Sequence, residues 1–126
     1  MAAGKYNFTI EQGATTVLQI VLKDGTETPV DLTGYAARMH IRETIPSTVI
    51  ICSLSSSILS DNTGLHLQGV NDDLPYTSGS IGLYISAATS SAFNFNAARY
   101  DIELVQGDYV NRILQGVIRL DKEVTR

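Results

Sequence analysis

Between Tyr35 and Arg42 the sequence YAARMHIR changes character with every residue. Tyr35, Ala37, Met39 and Ile41 fall on one side, while Ala36, Arg38, His40 and Arg42 fall on the other. A helix groups every third or fourth residue and does not produce that split; a strand with one buried and one wet face does. The compact turn sequence Asp31-Leu32-Thr33-Gly34 leads into it. Such a strand needs neighbours to pair with and a second layer to cover its apolar side.

The same period recurs along the chain. From Lys5 to Glu11, Tyr6, Phe8 and Ile10 alternate with Asn7, Thr9 and Glu11, and Gly13 ends this first strand. From Ala14 to Lys23, Leu18, Ile20 and Leu22 share a face, but Val17 and Val21 make the other face apolar as well, which predicts cover over part of it. Asp24-Gly25 marks a tight turn, and Pro29 argues against a central strand over 27–30. Pro46 places 43–48 in a loop, Val49–Leu54 reads as a strand, and Asp61-Asn62-Thr63-Gly64 reads as a turn. Leu65–Gln68 is a short strand, Gly69–Gly79 a polar connection, and Ser80–Ser86 a strand with Ile81, Leu83 and Ile85 inward and Gly82 and Tyr84 outward. Ser86 is placed to cap a helical turn within Ala87–Ala98. Arg99–Val105, with Tyr100, Ile102 and Leu104 inward, and Tyr109–Leu120 form a hairpin across Gln106-Gly107-Asp108. In the second of these strands Leu114, Gly116, Ile118 and Leu120 share a face.

These elements predict an all-β fold, an antiparallel immunoglobulin-like β-sandwich of about seven to eight strands with one short helical turn. One domain spans residues 1–126, with short polar tails at Met1–Lys5 and Asp121–Arg126 that are candidates for ordering against a partner. Tyr100 falls where such sandwiches place a corner tyrosine. The chain has one cysteine and no tryptophan, so the likeness is to the layout and not to the Cys…Trp…Cys core.

Composition narrows the function classes. With 44% apolar residues the chain is not disordered, and its 17% charged content suits a surface that meets other proteins. The nine basic residues are spread along a chain of net charge −4, which leaves no electrostatic footprint for nucleic acid. No apolar run is long enough to span a bilayer and the N-terminus lacks a secretory signal, so a soluble protein made in the cytoplasm is expected. Cys52 lies in the apolar run Val49–Cys52 and reads as a buried, inert thiol.

No catalytic constellation is present. His40 and His66 are far apart, and neither a nucleophile elbow nor a phosphate-binding loop occurs. Asn71-Asp72-Asp73 with Asp61 lacks the spacing of a calcium loop and reads as a solvated segment. No enzyme activity, cofactor or metal is expected. What remains is a short cationic row, Arg38, His40 and Arg42, with Asp101 and Glu103 on the outward side of the Arg99–Val105 strand. The row reads either as a wet sheet face or as a contact patch for a neighbouring subunit, and Asp101 and Glu103 offer it partners within or between molecules. Tyr76, Tyr84 and Tyr109 are the outward aromatics available to a carbohydrate platform.

Three segments, GKYNFTIEQGATT (Gly4–Thr16), DLTGYAARMHIR (Asp31–Arg42) and ARYDIELVQGDYVNRILQGVIRLDKEVTR (Ala98–Arg126), together resemble small virion structural proteins of tailed bacteriophages, cyanophages included, and the immunoglobulin-like N-terminal module of phage baseplate proteins. Thr16 departs from the pattern, standing where a larger apolar residue is expected. The resemblance implies a non-enzymatic tail or baseplate subunit, present in several copies or as a homo-oligomer and docked to other virion proteins, with no nucleic-acid or membrane partner. A capsid decoration or cement protein is the alternative, and a carbohydrate-binding adhesion module a more distant one.

Overall fold

The computed structural model describes residues 4–124. In chain order they form strands β1 (Gly4–Lys5), β2 (Phe8–Glu11), β3 (Thr16–Val21), β4 (Ala36–Arg42), β5 (Cys52–Ser55), β6 (Gly64–His66), β7 (Ser80–Ile85), β8 (Ala97–Gln106) and β9 (Tyr109–Asp121). A 3-10 turn, Tyr76–Ser78, precedes β7, and a short helix α1 (Ala87–Ser91) follows it. The Ser86 Oγ accepts from the Thr89 backbone N–H, the capping expected from the sequence.

Two sheets result. One runs β1-β9-β8-β4-β5, with β2 also paired to β9; the other runs β3-β7-β6. Read in chain order, β3, β6 and β7 are the B, D and E strands of an immunoglobulin-like sandwich, and β4, β5, β8 and β9 are its C, C′, F and G strands. The ladders are antiparallel except those of β1 and β2, which lie parallel to β9.

The core is built from the inward halves of the alternating strands. Ala37, Met39 and Ile41 of β4, Tyr100, Ile102 and Leu104 of β8, and Ile118 and Leu120 of β9 are buried from one sheet. Leu65, Ile81, Leu83 and Ile85 are buried from the other, and Leu32, Phe93 and Phe95 close the ends. At roughly 1.5–3 kcal/mol for each fully buried large apolar side chain, this pattern dominates the stability of the fold.

Several expectations are corrected. Tyr35 is half-buried and precedes β4, which starts at Ala36. The expected strand Lys5–Glu11 is interrupted at Tyr6-Asn7, where the backbone crosses above Gly116. Gly4 and Lys5 pair with β9 and so are not a free tail, while the tail residues 1–3 and 125–126 lie outside the described residues. Val17 and Val21 are not covered; they are 53% and 49% exposed. The cover falls instead on Gly82, where the 67–74 connection folds back so closely that a β-carbon would meet the Val70 backbone. A bulge in β9 shifts the register between Ile102↔Leu114 and Glu103↔Arg112, so that Ile113 and Leu114 are both buried.

Candidate docking face

The alternation that buries Met39 and Ile102 turns Arg38, His40 and Arg42 of β4 and Arg99, Asp101 and Glu103 of β8 outward on one sheet face. Register places Arg38 opposite Glu103, His40 opposite Asp101 and Arg42 opposite Arg99. The β9 bulge then sets Arg112 beside Glu103 and Gln115 beside Asp101.

At one end of this face the charges are matched. The Arg38 Nε donates to Glu103 Oε1 at 2.7 Å, and the Arg112 Nε lies 3.3 Å from Asp101 Oδ2. Of the expected interface residues, Arg38 and Glu103 are thus joined within one molecule, and Asp101 pairs with Arg112, which the sequence reading did not single out. A strand bulge has no local signature in the sequence, so the facing of Arg112 toward Asp101 was not readable. These partly exposed pairs are worth at most about 1 kcal/mol each and fix register across three strands.

At the other end the charges are not matched. Arg42 donates from Nη1 to the Ser47 carbonyl at 2.8 Å, but neither it, Arg99 nor Lys5 has a carboxylate partner among the described residues. From here a groove of about 540 Å³ runs along the face, lined by Lys5, Asn7, His40, Arg42, Arg99 and Gln115 and, toward the matched end, by Asp101, Glu103 and Arg112. Beside it, the loop between β4 and β5 leaves Ile45, Val49 and Ile50 exposed, Ile45 at 76%. A second hollow of about 430 Å³ is lined by Ile51, Cys52, Thr89, Phe93 and Phe95. Cys52 is half-buried on its wall, and burial pushes its thiol up to about 11.

The N-terminal segment is held from below. The Tyr100 hydroxyl donates to the Tyr6 carbonyl at 2.6 Å, and the Val117 N–H donates to Asn7 Oδ1 at 2.9 Å. Tyr100 therefore stands at the expected position of a corner tyrosine but ties the first strand, not the backbone just upstream of itself. Burial raises its hydroxyl far above the usual tyrosine range, and the neighbouring Tyr6 adds to this.

The remaining candidates are structural. Asp61 accepts from Ser86 Oγ at 2.6 Å and from the Thr63 N–H at 3.1 Å, and these bonds, Ser86 first, lower its carboxyl. Asp72 points at His66 Nδ1, 3.0 Å away, and the other ring nitrogen lies 2.9 Å from the Asn62 carbonyl. His66 is only 2% exposed and its ring meets Tyr84 edge-on, so Tyr84 is half-buried packing and not an outward platform. Among the described residues no three of His, Cys, Asp and Glu gather as metal ligands, and no helix is long and apolar enough to cross a membrane. No family model matches the chain, and no curated protein matches it.

Proposed function

We propose that the chain is a non-enzymatic structural subunit of a tailed-phage particle, in the tail or baseplate, docked to other virion proteins through the outer face of the β4–β8–β9 sheet. The placement in a phage rests on the sequence resemblance of 4–16, 31–42 and 98–126. The docking face rests on one observation: a charged sheet surface is bordered by three exposed branched side chains, Ile45, Val49 and Ile50, on a single loop. Clustered exposed apolar groups next to a patterned polar surface are the composition of an interface, with an apolar centre and a charged rim. Isolated exposed apolar residues are ordinary; three on one loop beside a groove are not.

Replacing Ile45, Val49 and Ile50 together by serine tests this. The variant is expected to fold with an unchanged circular dichroism spectrum, because all three side chains already face water. It is expected to be depleted from purified particles, measured by mass spectrometry, when it replaces the parental chain during infection. Normal incorporation would sink the docking reading. Electron-microscopy density for the chain on the capsid shell, in place of the tail, would move it to the decoration class.

A further inference from the structure

The geometry points to the groove at the Arg42–Arg99 end of the sheet as the seat of an acidic, extended segment of a different protein, with its carboxylates against Arg42, Arg99 and Lys5. This rests on the docking reading above and names the chemistry of what docks.

Register sets Arg42 directly across from Arg99. Like charges in cross-strand positions destabilise a sheet, and this pair has no carboxylate partner among the described residues to offset it. The other end of the same face shows what the fold does when no ligand is needed: Arg38 and Arg112 are each given an acid. The groove itself is cationic in an acidic protein. Four basic and two acidic side chains line it, a balance of +2 in a chain of −4, which leaves −6 on everything else. At about 540 Å³ it falls within the range of roughly 300–1,000 Å³ typical of ligand clefts. Guanidinium groups on a rigid sheet present paired donors in fixed planes, a geometry that matches carboxylates.

The same observations decide between occupants. A nucleic acid would bring a continuous row of phosphates past Asp101 and Glu103. A second copy of the chain has no run of free carboxylates to offer: Asp101 and Glu103 already hold arginines, and Glu11, Glu43, Asp73, Asp108 and Asp121 stand singly along the sequence. Asp24, Asp31 and Asp61 are held in their own turns by Thr26, Thr33 and Ser86, and Asp72 faces His66. A partner segment with two or three adjacent carboxylates reaches Arg42, Arg99 and Lys5 without having to run on past the two acids.

The probe is a fluorescein-labelled hexaglutamate peptide, titrated against the full chain and followed by fluorescence anisotropy at low salt. Saturable binding is expected. A charge-assisted hydrogen bond is worth about 1.5–3 kcal/mol, so Arg42→Gln and Arg99→Gln should each weaken binding by about tenfold or more. Lys23→Gln, on the opposite sheet side, should leave it unchanged. Because Arg99 is outward and faces Arg42, Arg99→Gln should not lower the thermal midpoint, whereas Arg42→Gln also gives up the bond to the Ser47 carbonyl. Absent binding, equal binding by all variants, tighter binding of an oligothymidylate of equal charge, or a dimer that Arg99→Gln dissolves would each overturn the assignment. Peptide binding that follows this pattern, alongside normal particle incorporation of the Ile45, Val49 and Ile50 variant, would keep the groove and remove that loop from docking.

Discussion

Gly116 carries the sharpest test of how this sandwich closes its first edge. The Tyr6 carbonyl crosses directly over Gly116, where a β-carbon would collide with it, and the same carbonyl accepts the Tyr100 hydroxyl at 2.6 Å. The Tyr6 N–H donates to the Gln115 carbonyl at 2.9 Å, so the backbone is held on both sides of the crossing. Alanine at 116 forces that backbone to lift. Overpacking of this kind costs about 1–3 kcal/mol, and losing the Tyr100 bond adds about 1 kcal/mol. Gly116→Ala is therefore expected to destabilise by about 2–4 kcal/mol, which at a urea m-value of about 2 kcal/mol/M lowers the midpoint by roughly 1–2 M.

Tyr100→Phe alone removes the hydroxyl and leaves the Tyr6 carbonyl without its donor, at about 1–2 kcal/mol. The two changes act on one carbonyl, so their costs should not add. Once alanine has displaced Tyr6, the phenylalanine has little left to remove, and the double variant should fall short of the sum by about 1 kcal/mol. Hydrogen exchange at the Tyr6 amide should quicken in both single variants. A Gly116→Ala midpoint close to the parent's, or costs that add within about 0.5 kcal/mol, would refute the crossing as the point of closure.

Three further outcomes follow from buried or hydrogen-bonded groups. His66→Leu leaves the Asn62 carbonyl and Asp72 without their shared partner, and should cost about 1–3 kcal/mol and speed protease cleavage within 67–75; unchanged cleavage and midpoint would refute its bridging role. Cys52 has its thiol raised to about 11, so at pH 8 it should react with a thiol reagent about a hundredfold more slowly in the folded chain than in urea. The corresponding stability is fully present below the unfolded thiol's value of 9.0 and is lost as pH rises toward 11, a decline that Cys52→Ala should abolish in urea titrations. Asp61 has its carboxyl lowered, so its contribution is present above the ordinary carboxylate range and is lost as pH falls through the lowered value. Asp61→Asn should flatten the acid limb of a stability–pH curve, and identical limbs would count against the Ser86 bond.

What could be read from the sequence is what depends on neighbours along the chain. The alternation of 35–42 and 99–105, the Ser86 cap and the hairpin at Gly107 are local, and each stands close to its expected place. What could not be read depends on contacts between distant segments. The parallel pairing of β1 and β2 with β9 joins residues more than a hundred positions apart. The burial of His66 depends on two loops meeting it, at Asn62 and Asp72, both with positive φ. Signals for part of this were present: a glycine inside a strand pattern marks close backbone approach, and both Gly82 and Gly116 fulfil it. The candidate face was half legible. Its residues and their outward direction followed from the period of two, but whether they paired within one molecule depended on the β4–β8 register and the β9 bulge.

The closing crossing and the groove are parts of one arrangement. Tyr100 points inward to hold Tyr6, and its neighbour Arg99, one residue earlier on the same strand, points outward into the groove. Gly116 admits the Tyr6 backbone, while Gln115 and Val117 on either side of it line the groove. Lys5 reaches the groove because β1 is held parallel to β9 immediately before the crossing. Arg99 and Lys5 thus stand beside the stretch of β8 and β9 that holds the Tyr6 crossing from beneath. A repulsive pair such as Arg42 and Arg99 costs a few tenths to about 1 kcal/mol, a small amount beside the burial of Tyr100 and Ile118 directly below. On a looser edge the same repulsion would be relieved by the strands moving apart. Here it is kept, and the face retains fixed positive groups that a carboxylate-bearing partner can neutralise.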